Sequence, residues 1–306
     1  MEKRLTRTDY LFALLFIVML VAIVGSFFFG MRTGQNQIEA KYQKLLAPKP
    51  DAAKEPGAYE QQVLVSFYHT IYSPYMEFER KWFQAMNDIE LNSTTIDSAA
   101  QLRELGKIAS SQYDSLQAKP VPATSPLLVE AQQNYMKGLK LFGQAASEMT
   151  SSANTMKGAE LIAALEKNSF YTQARDFVLL AQNNYYDSIV KWYESIDTNY
   201  KPVDAGKKLT LDEWGQLSLI SKNDYIAAMM LNQKWFRPFK PQDLALRIDE
   251  FIAGGQAKQL GVNDVQQAVQ LMISTNAVRS GDFIRGKTKY YGGETLPQLP
   301  FFIEQT

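Results

Sequence analysis

The chain has no cysteine and only one histidine, His69. Without thiols there is no disulfide framework, no thiolate nucleophile and no cysteine metal centre. With one imidazole, a histidine zinc site lacks its ligands, and any Ser-His-Asp triad would have to use His69. His69, close to Tyr68 and Tyr72, reads as a packed or solvated side chain. An excess of charge of either sign is missing too. Lys plus Arg and Asp plus Glu both total 32, which argues against a general nucleic-acid binder and against a polyanionic tail. Phosphate-cradling glycine loops are absent, because Gly254-Gly255 and Gly292-Gly293 lack the flanking spacing of such motifs. No tandem repeat at a solenoid period is visible. These absences leave the catalytic, cofactor and metal assignments empty.

What is present begins with an unbroken apolar run, Tyr10–Gly30, that carries no charge. A membrane-spanning helix needs about 20 mostly apolar residues, and this run supplies them. A cleaved signal peptide has a shorter apolar core, about 7–15 residues, and ends in a small-x-small site. Here the exit is Gly30-Met31-Arg32-Thr33-Gly34, with an arginine in the way. The run therefore reads as an uncleaved anchor. Lys3, Arg4 and Arg7 crowd its N-terminal edge, so the positive-inside rule keeps residues 1–9 in the cytoplasm and exports the bulk of the chain. That predicts a single-pass protein of the cell membrane, fitting a bacterial envelope.

Residues 31–57 read as a short juxtamembrane helix followed by a proline-rich linker from Pro48 to Gly57. From Ala58 the rhythm is helical. Leu64, Phe67, Ile71, Tyr75, Phe78, Trp82 and Met86 recur at three- and four-residue steps, the mark of one buried face. Pro74 should kink this helix. Asp97 is placed to cap a second helix using Ala99, Leu102, Leu105, Ala109 and Leu116. Ser125-Pro126 starts a third, using Leu128, Ala131, Tyr135, Leu139, Phe142, Ala145 and Met149. After a polar break at Thr150–Asn154, a fourth carries Phe170, Ala174, Phe177, Ala181, Tyr185, Ile189, Trp192 and Ile196. Four such helices make a bundle over residues 58–200. A boundary with Pro202 and Gly206 then leads to shorter helices near 211–219, 222–236, 241–253 and 263–275, the first opened by a Thr210–Glu213 capping box. Asp282–Tyr291 alternates and reads as a strand or hairpin. The expected architecture is all-α: one transmembrane helix, a four-helix-type bundle, and a smaller, mostly helical domain over 208–306.

Ala22, Ser26, Gly30 and Gly34 recur every fourth residue and would stack on one face of the membrane helix. Small residues let helices approach closely, so this stripe is a candidate for pairing with a second copy or another membrane protein. Arg285, Lys287 and Lys289 would share one face of a strand and form an anion-binding edge, with a distant likeness to a winged helix. Glu77 and Glu79 are two apart and cannot face each other on a helix; with Glu90 they read as solvated charges. Asp212-Glu213 and Asp249-Glu250 read as helix-end and surface charges. Tyr185-Tyr186, Trp192-Tyr193 and the Phe67–Trp82 aromatics read as core rather than a ligand groove.

The function expected from these features is non-catalytic: an anchored helical protein that binds a partner, scaffolds or senses, with the lipid bilayer as its first partner. An envelope polymer- or lipid-acting hydrolase using carboxylates is the alternative, and a membrane-tethered DNA-binding regulator is a further one.

Overall fold

The computed structural model describes residues 57–91, 95–197, 200, 202–204 and 206–303. The apolar run, its small-residue stripe and the linker before Gly57 lie outside the described residues. No helix among the described residues is long and apolar enough to cross a membrane. Pro56–Thr306 forms one compact unit, and its described secondary structure is helical throughout, with no named strand.

Helix α1 has three continuous pieces: Gln61–Phe67, a π-helical turn at Tyr68–Tyr72, and Ser73–Leu91. The expected kink at Pro74 is taken up by that π turn. Pro74 has no N–H for the carbonyl four residues back, and the backbone widens just before it. The Ser73 N–H reaches five residues back to the Tyr68 carbonyl. The apolar stripe predicted for this helix is buried from Leu64 to Trp82.

Helix α2, Ser98–Gln117, begins at the predicted cap, where the Asp97 carboxylate accepts from the Ala100 N–H at 2.9 Å. Helix α3 spans Pro126–Ser152. Helix α4, Ala159–Lys167, is short and was not expected. It begins after Gly158, whose φ of 56° favours glycine. The Asn168 side chain then caps α5, Ser169–Ile196, by accepting from the Phe170 and Tyr171 N–H groups. Asn168 thus ends one helix and starts the next; α3 runs into the expected break as far as Ser152, and the extra helix lies between that break and α5.

α2 packs on α3, and α3 on α5. At the second seam the helices approach so closely that a Cβ on Gly138 would collide with Val178. The expected core positions of α2 and α3 are buried. On α5, Phe170 and Phe177 are only partly covered and Ile196 is exposed. Each fully buried large apolar side chain contributes about 1.5–3 kcal/mol, so these stripes supply the main driving force.

Beyond residue 206 come α6, Leu211–Gly215, α7, Leu219–Asn232, α8, Pro241–Ala253, α9, Gln256–Gln259, α10, Val265–Ser274, and α11, Asp282–Tyr291. The predicted capping box is present: the Glu213 N–H donates to Thr210 Oγ1 at 3.2 Å and the Thr210 N–H to Glu213 Oε2 at 2.9 Å. α7 packs on α5, and α8 on α7 and α11. After α11 the tail turns back, burying Leu299 and Phe302 and setting Phe301 against Tyr68, Tyr72, Tyr185 and Tyr186.

The strand or hairpin expected over Asp282–Tyr291 is therefore corrected to a helix. Its apparent alternation comes from small and basic residues between apolar ones. Phe283, Lys287 and Tyr291, four apart, are the buried face, a helical period.

Candidate functional site

The helical state of α11 separates the three basic residues. Lys287 is buried and donates to the Phe302 carbonyl at 3.2 Å. Arg285 pairs with Asp282 at 2.9 Å, and Lys289 lies over the Tyr290 ring at 5.0 Å. A single-face edge of Arg285, Lys287 and Lys289 does not form, and no strand among the described residues supplies a wing. Ala22, Ser26, Gly30 and Gly34 fall outside the described residues.

Two acidic residues expected on the surface are inside. Glu79 is 3 % exposed, while Glu77 is half-buried and pairs with Arg80 at 2.9 Å. The two do lie on different faces, but only Glu77 is solvated. Asp249 is buried as well. The α8 helix that carries it is covered on several sides, and its acidic neighbour Glu250 binds Arg247 nearer the surface. The signal missed for each was a distant lysine. Lys240 meets Glu79 at 2.6 Å, and Lys222 meets Asp249 at 2.9 Å. A buried charge needs such a partner, but sequence separation hides it.

The Glu79–Lys240 pair borders a cluster of tyrosines at the π turn. Tyr72 and Tyr75 come from α1, Tyr135 from α3, and Tyr185 and Tyr186 from α5; all are buried. Ring centroids lie 4.2 Å apart for Tyr75 and Tyr135, 4.8 Å for Tyr72 and Tyr185, and 6.3 Å for Tyr72 and Tyr135. The Tyr186 hydroxyl donates to Gln242 Oε1 at 2.5 Å. Burial pushes all five phenols well above their usual pKa, so they are neutral donors at any ordinary pH. The Tyr72 and Tyr75 hydroxyls lie toward Tyr186 and Glu79. Those of Tyr135 and Tyr185 have no hydrogen-bond partner among the described residues. A buried polar group without a partner costs about 1–3 kcal/mol, against a typical total stability of about 5–15 kcal/mol.

A second polar node surrounds Asp249. Its carboxylate accepts from Trp214 Nε1 at 2.7 Å, from Lys222 Nζ at 2.9 and 3.0 Å, and from the Tyr291 hydroxyl. Lys222 also lies over the Trp214 and Tyr291 rings, 5.4 and 5.3 Å from their centroids. Every strong donor is matched, which reads as a structural clasp joining α6, α7, α8 and α11.

A third node lies at the α5–α7 seam. Asp187 and Asp224 share a hydrogen bond, and burial, then the Asp187 carboxyl, pushes Asp224 up to about 8. Asn183 donates to Asp187 at 2.8 Å. The proton sits on Asp224, leaving Asp187 as the acceptor. Like charges this close cannot both ionise cheaply.

Between α2 and α3, a groove of about 820 Å³ runs past Leu102, Gly106, Leu139 and Gly143, with Arg103 and Lys107 also lining it. Its size falls within the range of small-molecule sites, about 300–1,000 Å³. The two cations make only loose pairs, Arg103 with Asp97 at 3.9 Å and Lys107 with Glu104 at 3.6 Å.

His69 sits half-buried on the π turn, edge-on to Tyr68 at 5.1 Å, and burial lowers its pKa. Phe67, Phe78, Trp82, Tyr185, Tyr186 and Trp192 are buried core, as expected. No cluster of three or more His, Asp or Glu side chains suited to a metal ion occurs among the described residues.

The chain matches no family model, no curated protein and no solved structure.

Proposed function

We propose that this is a single-pass, membrane-anchored helical protein of the bacterial cell envelope, with its N-terminus in the cytoplasm and its helical unit outside. Its role on this reading is binding, scaffolding or sensing rather than catalysis. The apolar run Tyr10–Gly30, bounded by Lys3, Arg4 and Arg7, carries the proposal. A stretch of that length and composition is stable only in lipid or deep in a protein core. The all-helical compact unit is consistent with it. The Ala22, Ser26, Gly30 and Gly34 stripe suits pairing with a second copy or another membrane helix. The α2–α3 groove is the surface on which a ligand would be sought.

Membrane fractionation with alkaline and detergent extraction tests the anchor, and a reporter fused at Thr306 tests its orientation. The proposal expects release by detergent alone and reporter activity only outside the cytoplasm. Full-length protein in the soluble fraction, or loss of the first thirty-odd residues on maturation, refutes it.

A second reading, a hydrolase acting on envelope polymer or lipid through carboxylates, now draws on Asp187 and Asp224. They are a pair sharing one proton, whereas Glu77 and Glu79 face apart. Incubation with purified envelope polymers and lipids decides it: cleavage lost in Asp224→Asn favours this reading, and no cleavage ends it.

A further inference from the structure

We propose that the groove between α2 and α3 binds an amphipathic anion, a carboxylate head on an alkyl chain, with the head at Arg103 and Lys107 and the chain laid over Gly106 and Gly143. This deepens the binding role argued above and rests on it, but not on the membrane anchor. The two helices run antiparallel. Gln132 of α3 donates to the Leu116 and Lys119 carbonyls at the C-terminal end of α2, at 2.8 and 2.7 Å, and farther along a Cβ on Gly143 would stand 3.8 Å from the Gly106 carbonyl. Both helices line the groove with one pattern. α2 presents Leu102-Arg103, then Gly106-Lys107, then Ser110. α3 presents Leu139-Lys140, then Gly143-Gln144, then Ser147, in the same spacing. Steps of three and four keep each set on one helix face. Neither glycine carries a side chain, so the crossing stays open and a trough of about 820 Å³ remains.

The floor of the trough is apolar and its rim is cationic. Leu102 and Leu139 are buried beside the glycines. Arg103, Lys107 and Lys140 line the rim against one acid, Asp114. Their charges are lightly engaged. Arg103 reaches Asp97 only at 3.9 Å and Lys107 reaches Glu104 at 3.6 Å, with all four side chains more than half exposed. Lys140 has no ion pair among the described residues. Solvated pairs of this kind hold their partners weakly, so an incoming carboxylate can replace them. The antiparallel register sets Arg103 at the end lined by Ser147 and Thr150, and Lys140 at the end that also holds Asp114. Asp114 offsets Lys140, so the head belongs with Arg103 and Lys107, which stand one turn apart on one face. The guanidinium offers a planar fork that matches a carboxylate. From Leu102 to Asp114 the trough follows about 18 Å of helix, a length that suits an extended chain. A neutral amphiphile gains nothing from the rim, and a short anion gains nothing from the floor.

Equilibrium dialysis of labelled decanoate against the full-length protein in nanodiscs, with uptake by empty nanodiscs subtracted, tests the site. The expected result is saturable binding of one decanoate per chain. Arg103→Gln/Lys107→Gln should weaken it about tenfold or more, and because both side chains are exposed the fold is undisturbed. Ser147→Phe, at an exposed position of the groove, should obstruct the alkyl chain. Decanol and acetate should each bind about tenfold more weakly than decanoate, or worse. Uptake no greater than that of empty nanodiscs overturns the proposal, as does binding that either variant leaves unchanged. Acetate binding as tightly as decanoate overturns the place given to the chain, and decanol binding as tightly overturns the place given to the head. Should Ser147→Phe fail to fold, the charge variant and the three ligands still decide. Decanoate binding by a protein found in the soluble fraction refutes the anchor alone, and an anchored protein that ignores decanoate refutes the groove alone.

Discussion

Ser125 caps the start of α3 for another residue's benefit: its Oγ accepts the backbone N–H of Tyr59 at 3.0 Å, and the Tyr59 hydroxyl in turn accepts the Leu127 N–H at 3.2 Å. No side-chain hydrogen bond runs from Ser125 into its own helix. The two residues exchange the usual capping roles across 66 positions of sequence, and together they pin the chain just before α1 to the head of α3. Tyr59 has a φ of 59°, an uncommon conformation for a side chain of its size. The clasp offsets that cost.

Ser125→Ala should therefore cost more than an ordinary exposed cap. Ser125 is fully buried, so the Tyr59 N–H would be left unpaired. We expect a loss of about 1–2 kcal/mol, read as a drop in the denaturant midpoint with an unchanged m-value. Tyr59→Phe should cost less, because the Leu127 N–H is a first-turn donor that water can reach.

Much of this architecture was legible in the sequence, and the reason is periodicity. Leu64, Phe67, Ile71, Tyr75, Phe78 and Trp82 announce their shared face through spacing alone, and Asp97, Pro126 and Thr210 mark helix starts by local chemistry. What escaped is non-local. Nothing near Glu79 signals Lys240, which lies 161 positions away, and nothing near Asp187 signals Asp224. The residues of α11 alternate locally and so resemble a strand, while Phe283, Lys287 and Tyr291 obey a four-residue period against neighbours far along the chain. Phe301 follows no pattern and reaches the tyrosines only because the tail folds back.

The Glu79–Lys240 pair yields a sharper prediction. Removing one partner leaves the other charge buried, so Glu79→Gln and Lys240→Met should each destabilise by about 3–5 kcal/mol. The double variant Glu79→Gln/Lys240→Met should recover part of that loss, since no uncompensated charge remains. Chemical denaturation of the four proteins closes the cycle. Simple additivity of the two losses would mean that the residues do not act as a pair.

The Asp187–Asp224 seam predicts how stability varies with pH. The folded pKa of Asp224, about 8, lies above its ordinary value of 3.8. Between those values the folded state holds a proton that the unfolded state has released. Stability attributable to this group is fully present below pH 4 and falls as pH rises toward 8, by up to about 1.4 kcal/mol per unit. Above pH 8 both states are ionised and the slope ends. Asp187, also raised by burial, adds in the same sense, and Lys191 opposes both. Glu213 works the other way: Lys207 and the Thr210 cap hold it down to about 2, so its contribution is lost on acidification, though its exposure keeps it small. Denaturant titrations from pH 5 to 9 should show Asp224→Asn flattening the slope and stabilising the protein most at neutral to alkaline pH. An unchanged slope would detach the pair from the seam.

Two glycines on α3, five residues apart, should respond oppositely to the same substitution. A methyl on Gly138 would collide with the Val178 side chain across the α3–α5 seam, and would stand 3.4 Å from the Ala174 carbonyl. Val178 is β-branched and buried, so it has few rotamers to escape into. The helices must separate, and Gly138→Ala should cost about 1–3 kcal/mol. A methyl on Gly143 meets Ala109 Cβ at 3.6 Å and the Gly106 carbonyl at 3.8 Å, both ordinary contacts. There the better helix propensity of alanine dominates, and Gly143→Ala should stabilise by about 0.5–1 kcal/mol. Because Gly143 also lines the α2–α3 groove, the same methyl narrows that groove without harming the fold. Gly143→Ala thus separates the two uses of the surface. A ligand seated there would bind more weakly to a protein that melts at a higher temperature, whereas a groove with no occupant would show only the gain in Tm.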